Sequence, residues 1–181
     1  NQIRLLRKNF LLNEHQKSVL IGTLLGDGSL CADGWSRNYR LQMVQGDKQK
    51  EYLTWKFDVF RNCCFSEPSY QRWNESWRIR TISHKEFNRY GQMFYPKGKK
   101  VVPKNIARHL NPIAVAIWFM DDGALDPRES GFILNTQSFT YAENRCLSVI
   151  LCKKFALSHI SIHKDRKWWR LYIRQGSTHR F

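Results

Sequence analysis

The stretch "VAIWFMDDG" (115–123) is an apolar and aromatic run that stops at two adjacent carboxylates and a glycine. Earlier in the chain, "LIGTLLGDG" (20–28) has the same shape. Each reads as a buried helix, over 15–25 and 113–120, ending in an acid; the second starts after Pro112, a good first-turn residue. Gly22 and Gly26 are four apart and share a helical face. A glycine inside a helix costs about 1 kcal/mol relative to alanine, a cost that makes sense where another backbone comes close. Ala114 and Ala116 are the small residues of the second run. Helices meeting through these residues would bring Asp27 and Asp122 together at their C-terminal ends.

The likeness extends outward. "YRLQMVQ" (39–45) answers to "FILNTQ" (132–137), "KEYLTWKFDVFRN" (50–62) to "YAENRCLSVILCKKF" (141–155), and "SWRIRTI" (76–82) to "WWRLYIR" (168–174). Each half then carries an apolar helix, an acid, a strand pair, an amphipathic helix and a second strand pair. A repeat of this length predicts two similar halves about a pseudo-two-fold axis, imitating a symmetric dimer. The expected class is α+β, with a first half at 1–95, a linker at 96–111 and a second half at 112–181. The linker reading rests on "YPKGKKVVPK" (95–104), with Gly98, two prolines and four lysines.

In the strands, Tyr39, Leu41 and Met43 alternate with Arg40, Gln42 and Val44; Trp77, Ile79 and Thr81 with Arg78 and Arg80; Trp169, Leu171 and Ile173 with Arg170, Tyr172 and Arg174. Period-two patterning gives each sheet one apolar face and one arginine-rich face nearly free of acids. An ordinary solvated face would mix Thr, Lys and Glu. The chain as a whole has 30 Lys and Arg against 15 acids, net +15, spread along its 181 residues, which points to a polyanionic partner. A β-ribbon can present Arg and Gln to base edges in the major groove. "HKDRKWWR" (163–170) reads as a basic hairpin tip bearing Lys164 and Arg166. Candidate nucleic-acid contacts on these faces and beside them are Arg37, Arg40, Gln42, Arg78, Arg80, Asn135, Gln137, Lys164, Arg166, Arg170, Tyr172 and Arg174.

The remaining composition mostly excludes. With 42% hydrophobic and 14% aromatic residues the chain can bury a core, in which Phe57, Phe60 and Phe65 are expected. No apolar run reaches the roughly 18 residues of a membrane helix, and no signal-peptide pattern is present, so no membrane partner is expected. Five cysteines, odd in number and without a C-x-x-C, argue against a disulfide framework or zinc knuckle and read as small buried thiols in an intracellular, reducing setting. Beginning at Asn1, the sequence reads as processed or cut from something longer.

Carboxylates at a helix C-terminus meet partial negative charge, and two such ends side by side are worse. A divalent cation resolves the conflict, because Mg²⁺ is commonly held by one or two carboxylates plus phosphate oxygens and water. On a basic frame it would clamp a scissile phosphate and activate water. A plain Asp-Gly turn explains one such end. Two, at matching places in a repeat, favour the catalytic reading for Asp27 and Asp122.

The two nine-residue stretches resemble the signatures of the LAGLIDADG homing endonucleases, and "KKVVPKNIARHLNPIAVAIWFMDDGALDPRESGFILNTQSFT" (99–140) is similar to single-chain, intron-encoded members of that family from yeast mitochondria. The resemblance runs from about residue 15 to the end. It implies two αββαββα-type halves, signature helices at the centre, and antiparallel sheets forming a saddle over DNA. It implies a monomer that cuts both strands of a long asymmetric site with Mg²⁺ or Mn²⁺, leaving 3′ overhangs, with Ca²⁺ binding but not supporting cleavage. The metal acids fall on Asp27 and Asp122, and the backbone carbonyls beside them on Gly26 and Asp121. Gln42 and Asn135 match the polar strand residues near each metal, and Lys100 the lysine that orders the attacking water. The sequence stops at "GSTHRF", where a last helix and a second lysine have no counterpart. The alternative function is an intron RNA-binding, maturase-like splicing cofactor without cleavage; retention of Asp27, Asp122, Gln42 and Lys100 favours cleavage. The family implies a bacterial cytoplasm or an organelle, mitochondrion or chloroplast.

Overall fold

The computed structural model describes residues 10–32, 38–126 and 131–174. In the first half, α1 (Glu14–Leu25) leads to β1 (Ser29–Ala32) and β2 (Tyr39–Gly46), then α2 (Lys50–Phe60), β3 (Ser69–Gln71), β4 (Ser76–Arg80) and α3 (Lys85–Phe94). The second repeats the order: α4 (Pro112–Asp122), β5 (Gly123–Asp126), β6 (Gly131–Leu134), α5 (Tyr141–Phe155), β7 (Ile160–Asp165) and β8 (Trp168–Ile173). The sheets are antiparallel, four-stranded and identically ordered, β1-β2-β4-β3 and β5-β6-β8-β7, as the repeat predicts. The paired stretches 39–45 and 76–82 lie side by side, with Gln42 opposite Arg80 and Met43 opposite Ile79; in the second half Ile133 faces Tyr172.

The two signature helices start alike. Asn13 caps α1 by accepting from the Gln16 amide at 2.8 Å while the Gln16 side chain accepts from Asn13 N–H, and Asn111 caps α4 by accepting from Ala114 N–H at 2.8 Å. They pack in parallel. Asn111 Nδ2 donates to Ser18 Oγ at 2.7 Å near their amino ends. Further along, a Cβ on Gly22 would lie 2.3 Å from the Ala114 carbonyl oxygen and 2.6 Å from Ile117 Cβ. At the carboxyl ends, one on Gly26 would lie 2.4 Å from Asp121 Cβ. Both glycines are thus required by close approach. The partner surface differs from expectation in one respect: Ala114 and Ile117 make the contact, whereas Ala116 faces solvent.

Val19, Leu20, Ile21, Leu24 and Leu25 bury α1 almost on all sides against Ala114, Val115, Ile117 and Trp118. Leu41, Met43 and Ile79 from one sheet, and Leu134, Leu171 and Ile173 from the other, pack onto this centre, so each apolar sheet face is turned inward. Phe57 and Phe60 are core residues, but Phe65 is 50% exposed, because it lies past the end of α2. Of the five free cysteines only Cys63 is buried, and Cys146 is exposed on α5.

The 96–111 segment is packed rather than loose. Val102, Ile106 and Leu110 are buried. Glu143, near the start of α5, accepts from Val102 N–H at 2.8 Å, and Lys154, near its end, donates to the carbonyls of Ala107 and Leu110 at 2.7 and 2.6 Å. The basic 163–170 stretch is a hairpin as expected, Asp165 pairing with Trp168 across a tip formed by Arg166 and Lys167. Among the described residues no helix is long and apolar enough to cross a membrane.

Candidate active site

The acids gather where α1 and α4 end, although the two ends are not alike. α1 stops at Leu25, so Gly26 is its cap and Asp27 stands just beyond it; α4 continues through Asp122 and is capped by Gly123. Burial, then the charges of Asp27 and Asp121, push the Asp122 carboxyl up to about 7. Three carboxylates, of exposed Asp27, half-buried Asp122 and the fully buried Asp121 side chain, thus act on one another at the seam.

Asp121 is spoken for. Lys56 Nζ lies 2.6 Å from its Oδ1, with the side chains 1% and 0% exposed. Tyr52 Oη donates to the same oxygen at 2.9 Å, and Gln45 Nε2 reaches it at 3.4 Å while donating to Asp27 Oδ2 at 3.1 Å. Burial lowers the Lys56 ammonium and raises the Asp121 carboxyl, each opposed by their mutual attraction. The second oxygen, Asp121 Oδ2, is buried without a hydrogen-bond partner. The Asp121 side chain is therefore a structural anion, held by Lys56, Tyr52 and Gln45.

Lys100 enters from the packed linker. Its Nζ donates to the carbonyls of Gly26 at 2.7 Å and Gly28 at 3.0 Å. Burial lowers its pKa, against the pull of Asp122, Asp27 and Asp121. In the second half, Asn135 donates through its backbone N–H and its Nδ2 to the Asp122 carbonyl, both at 2.9 Å. Gln42 faces the arginine side of β2, opposite Ser29 on one side and Arg80 on the other, and its Oε1 accepts from Arg80 Nε at 3.0 Å.

The arginine faces lie as the alternation predicts. Arg40 and Arg78 are half-buried and Arg80 is exposed, its guanidinium pKa lowered by partial desolvation and by Arg78 and Arg40. On the other sheet Arg170 pairs with Asp165 at 2.7 Å; with the Gln137 amide turned so that its oxygen faces the guanidinium, Arg170 also donates to it at 2.9 and 3.0 Å. Tyr172 stacks on His163, ring centroids 4.1 Å apart. Lys164, Arg166 and Arg174 are exposed. Arg37 lies outside the described residues.

Residues 17–181 match the family model described as "LAGLIDADG DNA endonuclease family". The chain belongs to the LAGLIDADG endonuclease family. Among curated relatives, the cytochrome b mRNA maturase bI2 of Debaryomyces hansenii is 31% identical over 84% of this chain, which spans 61% of that protein's length. The probable intron-encoded endonuclease 1 of Wickerhamomyces canadensis is 30% identical over 86% of this chain and 72% of its own. The homing endonuclease I-WcaI, solved bound to its DNA recognition sequence, superposes with a TM-score of 0.89 at 26% identity, covering 99% of this chain and 84% of that one. I-DmoI, solved with DNA and Mn, shares the fold, with a TM-score of 0.58 and 16% identity.

Within this LAGLIDADG chain, the residues that sequence reasoning missed are Gln45, Tyr52 and Lys56. Two of them left a signal. Gln45 continues the apolar face of β2 after Leu41 and Met43, and is 4% exposed. Lys56 falls on the buried stripe of α2 formed by Leu53, Phe57 and Phe60. A glutamine on a core face and a lysine on a core stripe each require a buried polar partner.

Proposed function

We propose that this chain is a site-specific, double-strand DNA endonuclease acting as an intracellular monomer, with half-sites supplied by residues 1–95 and 112–181 and linked by 96–111. The observation that supports the reading is the gathering of Asp27 and Asp122 where α1 and α4 end, with the Asp122 carboxyl pushed up to about 7 by burial and by the charges of Asp27 and Asp121.

The donor set fits a hard divalent cation. It consists of carboxylate and backbone oxygens, with the Asp122 carboxyl raised by burial and by its acidic neighbours, and among the described residues no group of three His, Cys, Asp or Glu side chains is placed to hold a metal by itself. A site with few protein ligands leaves room for substrate phosphate and water, the usual mode of Mg²⁺. Asp27 and Asp122, with the carbonyls of Gly26 and Asp121, would hold Mg²⁺ or Mn²⁺, and Ca²⁺ would occupy the same oxygens without supporting cleavage. When bound, the metal supplies Lewis-acid neutralisation at the scissile phosphate. Lys100, half-buried and with a pKa lowered by that burial, orients the attacking water and accepts its proton. Asn135 fixes the backbone at Asp122, and Gln42, braced by Arg80, lines the strand beside Asp27. The arginine faces hold duplex phosphates and base edges on a long asymmetric site. Cleavage across the minor groove leaves 3′ overhangs.

The test is plasmid-library cleavage with Mg²⁺. Asp27→Asn and Asp122→Asn should each abolish double-strand cleavage while duplex affinity stays within a few-fold; full activity in either would remove the two-acid mechanism. The maturase relative supports a second reading, in which the chain also serves an intron RNA; a splicing assay that responds equally to wild type and Asp122→Asn separates it from cleavage.

A further inference from the structure

The rows of residues that cross the two sheets just beyond the acids occupy equivalent places and differ in chemistry. In the first sheet, Ser29 of β1 lies beside Gln42 of β2, and Gln42 beside Arg80 of β4. In the second, Ala124 of β5 lies beside Ile133 of β6, and Ile133 beside Tyr172 of β8. Ser29 and Ala124 each stand two residues after their acid, Asp27 and Asp122. Both rows lie on the outer faces, because Leu41, Met43 and Ile79 in one sheet, and Leu134, Leu171 and Ile173 in the other, turn to the core. The first row is polar and braced. Gln42 Oε1 accepts from Arg80 Nε at 3.0 Å, which fixes the guanidinium plane and leaves its two terminal nitrogens as paired donors. Arg80 is exposed, and among the described residues it has no carboxylate within 4 Å; its charged neighbours are Arg78 and Arg40. The second row is apolar. Ala124 is exposed, and Ile133 is half-exposed and does not pack on the core as Phe132 beside it does. The Tyr172 ring is held by its stacking on His163.

We infer that these matched rows make the target asymmetric: Arg80, braced by Gln42, reads a G·C pair in one half-site, and Ile133, with Ala124 and Tyr172, reads an A·T pair in the other by the thymine methyl group. These assignments rest on the duplex-cleavage reading above and add the base pair that each half-site requires. In the major groove guanine offers two acceptors, N7 and O6, that match the paired donors of one guanidinium, whereas an A·T pair offers a methyl group to an apolar side chain. A phosphate also attracts arginine, but two features favour the base. The braced plane suits a directional pair of hydrogen bonds. β2 and β4 are moreover the central strands of their sheet, and the middle of a ribbon laid in a groove meets base edges. Two residues of extended chain span about 7 Å, or about two base-pair steps. Each pair is therefore expected about two to three steps from the nearer scissile phosphate.

The test is a binding selection from a randomised duplex library, with Ca²⁺ in place of Mg²⁺, followed by affinities for single substituted sites. Wild type should require a G·C pair at one position and an A·T pair at another, on opposite sides of the centre. R80A should weaken binding to the selected site by about 10- to 100-fold, yet change binding to the site with that G·C pair replaced by A·T less than about threefold. Replacing the guanine by 7-deazaguanine, which lacks the N7 acceptor, should weaken wild type about tenfold and R80A less than about twofold. Replacing the thymidine by deoxyuridine, which lacks only the methyl group, should weaken wild type about fourfold and I133A less than about twofold. Both base replacements leave the protein untouched, so they stand even where a variant folds poorly. Binding with these preferences but without cleavage in Mg²⁺ would remove the endonuclease reading and leave the base assignments in place. The assignments are overturned if no sequence is enriched, if the two positions carry other pairs, if R80A weakens both sites alike, as loss of a phosphate contact would, or if wild type binds the deazaguanine or deoxyuridine site as tightly as the parent.

Discussion

Replacing Lys56 by methionine keeps the aliphatic stem of the side chain and removes the ammonium that lies 2.6 Å from Asp121. Asp121 then stays buried with a neutral hydroxyl from Tyr52 and a long contact from Gln45, and its Oδ2 still has nothing. Removing one member of a buried pair typically costs about 3–5 kcal/mol. Proton uptake caps the cost here. A carboxyl with an unfolded pKa near 3.9 that must be neutral in the folded state at pH 7 costs about 3 units, or about 4 kcal/mol at 1.36 kcal/mol per unit. In the variant the folded pKa is raised above the unfolded one, so the folded state binds the extra proton and stability recovers as pH falls toward the unfolded value. At pH 5 the cost should shrink to about 1.5 kcal/mol. Urea unfolding of wild type and Lys56→Met at pH 7 and pH 5 measures both figures, and the double variant K56M/D121N should recover most of the loss. A Lys56→Met protein within about 1 kcal/mol of wild type at pH 7, or a loss independent of pH, would refute a buried charge pair at the seam.

Gly22→Val should lower stability by roughly 1–3 kcal/mol through overpacking against the Ala114 carbonyl, seen as a Tm about 5–10 °C lower by calorimetry. Lys100→Met should slow cleavage by about 10²–10⁴-fold with duplex affinity nearly unchanged, as a group acting on proton transfer would; single-turnover rates at saturating enzyme decide it. Because the Asp122 carboxyl is pushed up to about 7, protons compete with metal there: Mn²⁺ affinity by calorimetric titration should hold above pH 7 and fall as pH drops below it. The same raised pKa makes the metal-free fold lose stability as pH rises from about 4 toward 7, where the unfolded carboxyl has already released its proton.

The repeat makes the architecture legible in the sequence. Stretches 39–45 and 76–82, matched by 132–137 and 168–174, are the neighbouring central strands of their sheets, and the alternation within them separates core face from arginine face. The meeting of Asp27 and Asp122 is legible for the same reason, since each follows or ends an apolar helix whose small residues demand close packing. What stayed hidden depends on contacts distant in sequence. The linker composition, rich in Lys, Pro and Gly, suggests a loose connection, yet Val102, Ile106 and Leu110 anchor it and carry Lys100 to the Gly26 carbonyl, 74 residues away in the chain. Ala116 and Phe65 were misplaced because small size and aromaticity do not say which way a side chain points. Lys56 was unread because lysine on a helix is ordinarily solvated, and only its spacing from Leu53 and Phe60 betrays burial.

The seam itself explains why the two signatures differ. Gly26 and Asp121 occupy matching positions and face each other, so close that a Cβ on Gly26 would lie 2.4 Å from the Cβ of Asp121. Two aspartates could not both fit, and two glycines would leave space where the Asp121 side chain now lies. One small and one large residue fill the gap, and the large one is charged, so it requires Lys56. That lysine comes from α2 of the first half and crosses the pseudo-axis to reach the second helix. The matching helix of the second half, α5, buries Asn144 and Ser148 and no lysine. A symmetric homodimer cannot adopt this solution, because each position there meets its own copy across the axis. Joining the halves in one chain frees the two faces of the seam to differ, and the Gly26–Asp121–Lys56 contact shows where this chain has used that freedom: one step from each acid proposed to hold the metal.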